Sequence, residues 1–251
     1  MISFLDLRLA TEELRPEIEE AIARVMTSGC YILGAEVEAF ENEFAAYCGA
    51  RHCVGVASGL DALTLLLRGL GIGAGDEVIV PSNTYIATWL AVSAVGARVV
   101  AVEPDIATYT LNPDRVEDAI GPRTRAILAV HLYGKTAALG ALSDVAQRRG
   151  VALVADAAQA HGVDLSGVSS AFSFYPTKNL GALGDGGAVV TDDAVLAGRI
   201  RALGNYGSRK KHLNEVRGVN SRLDPLQAAV LRVKLPYLEK WNRRRRQIAE
   251  L

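Results

Sequence analysis

The stretch Ser173-Phe174-Tyr175-Pro176-Thr177-Lys178-Asn179-Leu180-Gly181 carries a lysine in a polar loop that follows a short apolar run. Just upstream, the apolar run 151–155 ends at Asp156 and continues into the segment 157–161. Apolar runs of this length, placed between helical patterns, are typical of buried parallel strands. Because the carboxyl ends of parallel strands meet at one edge of a sheet, we expect Asp156 and Lys178 to lie close together.

An amine and a carboxylate at one sheet edge suit a particular cofactor, pyridoxal phosphate. A lysine amine forms a Schiff base with a carbonyl once its surroundings lower its pKa, so Lys178 is the predicted nucleophile. An ionised carboxylate that ends an apolar strand needs a partner, and for Asp156 the predicted partner is the protonated ring nitrogen. Gln159 is a candidate donor to the phenolic oxygen. Taken singly, Lys178 is also compatible with a surface lysine, Asp156 with a helix cap or an ion pair, and Gln159 with a surface amide.

Three further features match the rest of this cofactor. The segment 58–62 follows a strand and opens a helix, so its N–H groups are available to a phosphate, with a simple helix cap as the alternative. Ser173, five residues before Lys178, is a second candidate phosphate donor. Tyr85 follows the next strand and is a candidate for stacking on a flat ring, although a core aromatic is the simpler interpretation of that residue alone. The coincidence of all these features at one sheet edge favours a cofactor site.

The wider pattern alternates short apolar runs with helical stretches, which predicts βαβ units. The predicted strands are 52–57, 77–80, 98–102, 126–132 and 151–155, with 171–175 and 188–191 extending the sheet. The predicted helices are 36–48, 61–70, 87–95, 113–120, 139–149 and 194–203, followed by a helical pattern over 223–251 that Pro236 interrupts. The fold class is therefore predicted to be α/β, with a mostly parallel sheet flanked by helices.

Composition narrows the class of protein. The chain has 251 residues, of which 50% are hydrophobic, and this is enough for one large domain. Its net charge of −1 gives no global indication of nucleic-acid or anionic-membrane binding. The three cysteines show no CxxC spacing and the charged N-terminal segment has no room for an apolar signal sequence, so we expect a cytoplasmic protein. The uncharged stretch 78–97 is broken by polar residues and is predicted to form a strand, a turn and a helix instead of a membrane span.

Motifs of other cofactor classes are missing from the sequence. The glycines between 69 and 75 precede a strand and do not match GxGxxG, so they do not indicate a dinucleotide site. The four histidines are scattered, and we expect no metal site. The four arginines at 243–246 are expected to form a solvated helix face or a subunit contact.

Several motifs together closely resemble the DegT/DnrJ/EryC1/StrS family of sugar aminotransferases, which has the type I aspartate-aminotransferase-like fold. The resemblance runs from about Phe4 to the end, and its motifs are Ser58-Gly59-Leu60-Asp61-Ala62, Gly75-Asp76-Glu77-Val78-Ile79-Val80-Pro81, Asp156-Ala157-Ala158-Gln159-Ala160-His161, and the Lys178 loop with Gly184-Asp185-Gly186-Gly187. Segments 81–89 and 131–134 look most like the subgroup that acts on dTDP-3-keto-6-deoxyhexoses. The resemblance implies a pyridoxal-phosphate-dependent transaminase that uses a nucleotide-linked keto sugar, with glutamate as the expected amino donor.

The resemblance also implies which residues bind the cofactor: Gly59, Leu60, Tyr85, Asp156, Gln159, Ser173, Lys178 and Asn220. Lys178 would also shuttle protons. Gly59, Leu60 and Ser173 would bind the phosphate, and Asn220 would reach the phosphate of the neighbouring subunit in a homodimer with shared sites. Leu60 stands where many relatives have threonine, so a backbone contact is expected there.

A basic segment follows the predicted sheet. Arg209, Lys210, Lys211 and Arg217 could meet the pyrophosphate of a nucleotide sugar. An exposed charged loop explains them equally well.

Two departures from the family pattern bear on activity. The segment 161–171 is several residues shorter than the usual loop. The smaller C-terminal domain is expected to be missing, which gives an N-terminal arm and helix over 1–35, a cofactor-binding large domain over 36–222, and the start of a long helix over 223–251. An alternative function is therefore an inactive family member that binds the cofactor or serves as a non-catalytic partner subunit. A dehydratase of the family is disfavoured, because those enzymes typically have histidine where this chain has Lys178.

Overall fold

The computed structural model describes residues 6–210 and 213–251 as a central β-sheet with helices on both faces. The strands are β1 (His52–Val56), β2 (Glu77–Pro81), β3 (Arg98–Val102), β4 (Thr124–Val130), β5 (Ala152–Asp156), β6 (Ser170–Ser173), β7 (Gly187–Thr191), β8 (Ser208–Lys210) and β9 (Leu213–Asn214). The helices are α1 (Leu7–Glu12), α2 (Arg15–Ser28), α3 (Ala35–Tyr47), α4 (Gly59–Gly69), α5 (Ile86–Ala94), α6 (Pro113–Ala119), α7 (Leu139–Arg149), α8 (Ala194–Gly204), α9 (Pro225–Lys234) and α10 (Leu238–Ala249). Short 3-10 turns lie at Leu132–Gly134 and Leu235–Tyr237.

The main sheet has seven strands in the order β1-β7-β6-β5-β4-β2-β3, and β8 and β9 form a separate ribbon. The pairs β2–β3, β2–β4, β4–β5 and β5–β6 are parallel. Strand β7 is antiparallel to both of its neighbours, β1 and β6. Strands β2, β4 and β5 therefore deliver the loops after their carboxyl ends to the same edge of the sheet, where open α/β sheets bind ligands.

The core lies on both faces of the sheet, and β2 shows why. Val78 and Val80 pack in one apolar cluster with helices α4, α5 and α8. Ile79 points the other way and packs with helices α6 and α7. Successive side chains of a strand alternate between faces, so a strand that is apolar at every position must be covered twice.

The C-terminal helices pack on the same side of the sheet as α3. Ala228 and Leu231 of α9 join the core that contains Phe40 and Phe44 of α3. On its other side, α9 packs against α2 through Val230. The predicted break at Pro236 is confirmed as the 3-10 turn between α9 and α10.

All seven predicted sheet strands form, so the α/β prediction is confirmed. The run predicted over 171–175 ends at Ser173, and Tyr175 lies in the following loop, where its carbonyl accepts from the Lys178 N–H in a turn. The stretch 78–97 folds as the rest of β2, a turn and α5. None of the helices in residues 6–210 and 213–251 combines the length and apolar character needed to cross a membrane. Lys211 lies outside the described residues.

Candidate active site

A cavity of about 510 Å³ opens at the carboxyl edge of the sheet. The residues that line it come from the loops after β1, β2, β4, β5 and β6. Seven of the predicted site residues are among them: Gly59, Leu60, Tyr85, Asp156, Gln159, Ser173 and Lys178. The structure therefore brings together in one cavity residues that are up to 119 positions apart in the chain.

Asp156 is the last residue of β5 and is buried, with 7% of its surface exposed. Its carboxylate accepts a 2.8 Å hydrogen bond from the Thr88 hydroxyl and a 3.0 Å hydrogen bond from the Ala158 N–H. Burial raises the pKa of Asp156, while the two hydrogen bonds and the nearby Lys178 ammonium act in the opposite direction. The site thus holds a buried carboxylate with specific donors to its charged form.

Lys178 lies in the loop between β6 and β7, half-buried at the cavity wall. Its backbone N–H donates to the carbonyl of Tyr175 at 2.8 Å, which closes a tight turn around the lysine. Burial lowers the pKa of Lys178, and the Asp156 carboxylate partly opposes this shift. A lowered pKa increases the fraction of neutral amine, which is the nucleophilic form.

The N-terminus of α4 forms another wall of the cavity. Ser58 caps this helix by accepting a 3.1 Å hydrogen bond from the Asp61 N–H, so the helix begins at Gly59. A Cβ atom added to Gly59 would lie 2.6 Å from the Cβ of Ser173, and one added to Gly187 would lie 2.4 Å from the backbone of Ser58. Glycine is required at both positions because α4 approaches β6 and β7 this closely. The first N–H groups of the helix and the Ser173 side chain consequently lie side by side, as an anion site requires.

Two further side chains, those of Tyr85 and Gln159, also line the cavity. Tyr85 precedes α5, and 71% of its surface is exposed, so its ring is accessible to a flat ligand. The amide oxygen of Gln159 accepts a 2.8 Å hydrogen bond from the Tyr133 N–H. This bond fixes the orientation of the amide and leaves its NH2 group as the end that can donate to a ligand.

Asn220 does not line this cavity. It is exposed, and its backbone forms a bridge with Asn205. Its neighbour Ser221 is buried and connects the segment to the site, because its hydroxyl donates to Asp61 at 2.7 Å and accepts from the Ala57 N–H at 3.1 Å. The role expected for Asn220, a contact with the neighbouring subunit, stays a prediction.

The basic segment stands apart from the cavity. Arg209, Lys210 and Arg217 are exposed and do not line it. Among residues 6–210 and 213–251, no group of three or more His, Cys, Asp and Glu side chains could hold a metal ion.

Sequence reasoning missed two residues that support the Asp156 carboxylate and one buried histidine whose backbone N–H donates to the Asp156 backbone. Thr88 is fully buried and binds Asp156, and Thr84 lies 2.8 Å from the Thr88 hydroxyl. Since a carboxylate only accepts, Thr88 donates to Asp156 and Thr84 donates to Thr88. His131 is buried at the end of β4, where its Nδ1 accepts from the Ala137 N–H at 3.1 Å. The polar positions of Thr84 and Thr88 in an otherwise apolar stretch were the available signal.

The fold is α/β, and a lysine and a buried carboxylate line one concave cavity. This arrangement is typical of an enzyme active site. The sequence model of the DegT/DnrJ/EryC1/StrS aminotransferase family matches residues 12–251. The chain belongs to this aminotransferase family, and the resemblance of its motifs is confirmed.

Individual relatives agree with this assignment. The chain is 60% identical to a dTDP-3-amino-3,4,6-trideoxy-alpha-D-glucose transaminase of Streptomyces venezuelae, over 99% of this chain and 67% of that protein. It superposes with a TM-score of 0.98 on a crystal structure of S. venezuelae DesV in complex with ketimine intermediate, at 60% identity, covering 99% of this chain and 69% of that one. It also matches NtdA of Bacillus subtilis with bound cofactor PMP, with a TM-score of 0.91 at 34% identity, covering 94% of this chain and 56% of that one.

Proposed function

We propose that this chain is a pyridoxal 5′-phosphate-dependent aminotransferase that transfers an amino group to the keto carbon of a nucleotide-linked deoxysugar. The observation that carries the proposal is the pair formed by Lys178, whose pKa is lowered by burial, and Asp156, a buried carboxylate in the same cavity. Family membership supports the reaction class. The name of the Streptomyces venezuelae relative supports a dTDP-linked sugar as the first substrate to test.

The residues of the cavity fit the cofactor in size, charge and donor type. The amine of Lys178 suits its aldehyde, and the carboxylate of Asp156 suits its ring nitrogen. The close approach of Gly59 to Ser173 leaves a helix N-terminus and a hydroxyl side by side, which suits its phosphate. The residues that would hold it are Gly59, Leu60, Tyr85, Asp156, Gln159, Ser173 and Lys178.

When bound, pyridoxal phosphate stabilises negative charge on the carbon that carries the amino group. The part of Asp156 is to keep the ring nitrogen protonated, and the hydroxyl of Thr88 keeps that carboxylate ionised and oriented. In the proposed reaction, Nζ of Lys178 accepts a proton from the donor carbon that carries the amino group. It then returns the proton to the cofactor carbon bonded to the same nitrogen. Burial supports this role, because a lowered lysine pKa raises the fraction of neutral amine that can accept a proton.

The other partners are proposed by family resemblance. Glutamate is the amino donor, and two copies of the chain form a homodimer in which Asn220 reaches the phosphate site of the partner. The large domain over 36–222 holds the cofactor. Arg209, Lys210 and Arg217 are exposed cations that could meet a pyrophosphate. A cytoplasmic location is proposed from the three free cysteines.

The first experiment is an absorbance spectrum of the purified protein with pyridoxal phosphate, before and after borohydride, followed by peptide mapping. We expect a covalent label on Lys178 at one equivalent per chain. Lys178→Ala should abolish the label without unfolding the protein, while Lys240→Ala, a change on the exposed face of α10, should leave it intact. A label of equal stoichiometry in Lys178→Ala protein would refute the assignment.

The second experiment tests the reaction. The protein is incubated with glutamate and a dTDP-3-keto-6-deoxyhexose, and the amino sugar and 2-oxoglutarate are followed by mass spectrometry. Equal amounts of the two products support the proposal. A labelled Lys178 with no transfer to any nucleotide-linked keto sugar would contradict the substrate class and leave the cofactor assignment standing.

A further inference from the structure

Three side chains of α9 and α10 form hydrogen bonds with the loop that carries Lys178. This loop, residues 174–186, is here called the lysine loop. Gln227 of α9 accepts from the Leu183 N–H through its Oε1 at 2.8 Å. Lys234 of α9 donates from Nζ to the carbonyl of Gly181 at 2.7 Å. Asn242 of α10 accepts from the side-chain amide of Asn179 at 2.7 Å.

The lysine loop is closed at its base by its own backbone. The Phe174 N–H donates to the carbonyl of Gly186, and the Ala182 N–H donates to the carbonyl of Phe174, both at 2.8 Å. A Cβ atom added to Gly181 would lie 2.4 Å from the carbonyl oxygen of Pro176, so the loop folds back on itself there. The three side chains from α9 and α10 bind beyond this base, at Asn179, Gly181 and Leu183, next to the lysine.

Lys234 is not an ordinary surface lysine. Only 6% of its surface is exposed, and burial lowers its pKa. Its ammonium forms no ion pair with any carboxylate of residues 6–210 and 213–251. Burial of an ammonium is costly, and the bond to the Gly181 carbonyl offsets part of that cost. The bond therefore holds both the helix and the loop in place.

Asn242 connects the two segments that carry the proposed catalytic pair. It is buried, with 5% of its surface exposed. Besides accepting from Asn179, the residue after Lys178, it donates from Nδ2 to the carbonyl of His161 at 2.8 Å. His161 ends the segment that begins at Asp156. One amide on α10 thereby spans from the lysine loop to the segment after the carboxylate.

We propose that Gln227, Lys234 and Asn242 are positioning residues that hold Lys178 at a fixed place relative to Asp156. The consequence for catalysis rests on the function proposed above, but the mechanical role does not. A 1 Å displacement of a reacting group costs up to about a hundredfold in rate, so the alignment of this loop matters to any chemistry at Lys178.

The test compares the full chain with four variants. Gln227→Ala and Lys234→Met each remove one bond, Asn242→Ala removes two, and Gln227→Glu keeps the accepting oxygen. Arg243→Ala, an exposed position beside Asn242, is the control. Hydrogen–deuterium exchange of the peptide 177–183 measures the loop, and the pH dependence of reductive methylation at Lys178, read by mass spectrometry, measures its pKa. Neither readout needs the cofactor.

Loss of one bond should speed exchange in 177–183 about five- to tenfold, as expected for roughly 1 kcal/mol of local stability. In Asn242→Ala protein the Lys178 pKa should rise toward its ordinary value, because the loop becomes more solvated. Gln227→Glu and Arg243→Ala should match the original chain. Variants with a lower melting temperature but unchanged loop exchange and unchanged Lys178 pKa would overturn the proposal.

The rate of borohydride-trapped labelling by pyridoxal phosphate then separates the two proposals. A slower rate in Asn242→Ala protein supports the positioning role in the proposed reaction. Absence of labelling in the original chain refutes the proposed function, while the exchange and methylation data still decide the role of the three side chains.

Discussion

The hydroxyl of Thr88 on α5 donates a 2.8 Å hydrogen bond to the carboxylate of Asp156, which ends β5. Both residues are buried. A hydrogen bond to a charged group is worth about 1.5–3 kcal/mol, and this one favours the ionised form of Asp156 against the effect of burial. Thr88 therefore helps to keep the Asp156 carboxylate ionised.

Thr88→Val keeps the shape of the side chain and removes the donor. The pKa of Asp156 should rise, because one of the hydrogen bonds that lower it is lost. We expect kcat for amino transfer to fall roughly tenfold or more and its acidic limb to move to higher pH. The measurement is the pH profile of kcat. Ser93→Ala removes a hydroxyl from the exposed end of the same helix and serves as the control. Superimposable profiles for Thr88→Val and the original chain would exclude this role.

Asp156→Asn replaces the carboxylate by a neutral amide of the same size. The amide oxygen can still accept from one of the two donors, Thr88 or the Ala158 N–H, so the fold and some cofactor binding should remain. A protonated ring nitrogen loses its counter-charge, and we expect turnover to fall by at least about a hundredfold, the usual effect of removing one electrostatic partner. Steady-state kinetics together with the cofactor dissociation constant separate these effects. Near-normal turnover would refute the assigned role of Asp156.

Gly59→Ala inserts a methyl group where the gap to Ser173 is 2.6 Å from Cβ to Cβ. We expect α4 to move away from β6, with a loss of about 1–3 kcal/mol of stability and a weaker dissociation constant for pyridoxal phosphate. The matched control is Gly198→Ala in α8, where a Cβ meets no atom within 4 Å. That change should stabilise the protein by roughly 0.5–1 kcal/mol. Thermal unfolding and cofactor titration of both variants check the prediction, which fails if the two behave alike.

Stability should fall as the pH drops below neutrality. Burial lowers the pKa of His161 to about 3 and that of His131 to about 4, from 6.5 in the unfolded chain. The unfolded state therefore binds protons between pH 6.5 and these values while the folded state does not, so stability is present above pH 6.5 and is lost as pH falls. Each histidine should contribute about 2 kcal/mol of loss between pH 7 and pH 5. Urea unfolding of His131→Asn and His161→Phe proteins at both pH values should show a smaller loss than the original chain.

Local sequence patterns predicted the strands well but not the direction of β7. Its apolar run 188–191 looks like that of any buried strand, and period and composition carry no information on direction. Direction is decided by the connection. The lysine loop returns to the same sheet edge from which it leaves, so β7 must run antiparallel to β6.

The cavity was predictable where a charged residue follows an apolar strand, as for Asp156 at the end of β5 and Lys178 in the loop after β6. Thr88 was not, because a threonine on a helix is common and its partner lies 68 positions away. The same holds for Asn242, whose two partners are 63 and 81 positions away. Contacts of this kind follow from tertiary packing and leave no periodic trace in the sequence.

The position of β7 also governs the order in which the sheet can be completed during synthesis. Strand β1 pairs with β7 alone in this sheet, and β7 begins about 130 residues later in the chain. At ribosomal rates of about 5–20 residues per second, β1 waits about 7 to 26 seconds with unpaired backbone groups. An exposed apolar strand in this state is an aggregation hazard, so slowing translation between Val56 and Gly187 should lower the yield of soluble protein more than slowing it after Thr191.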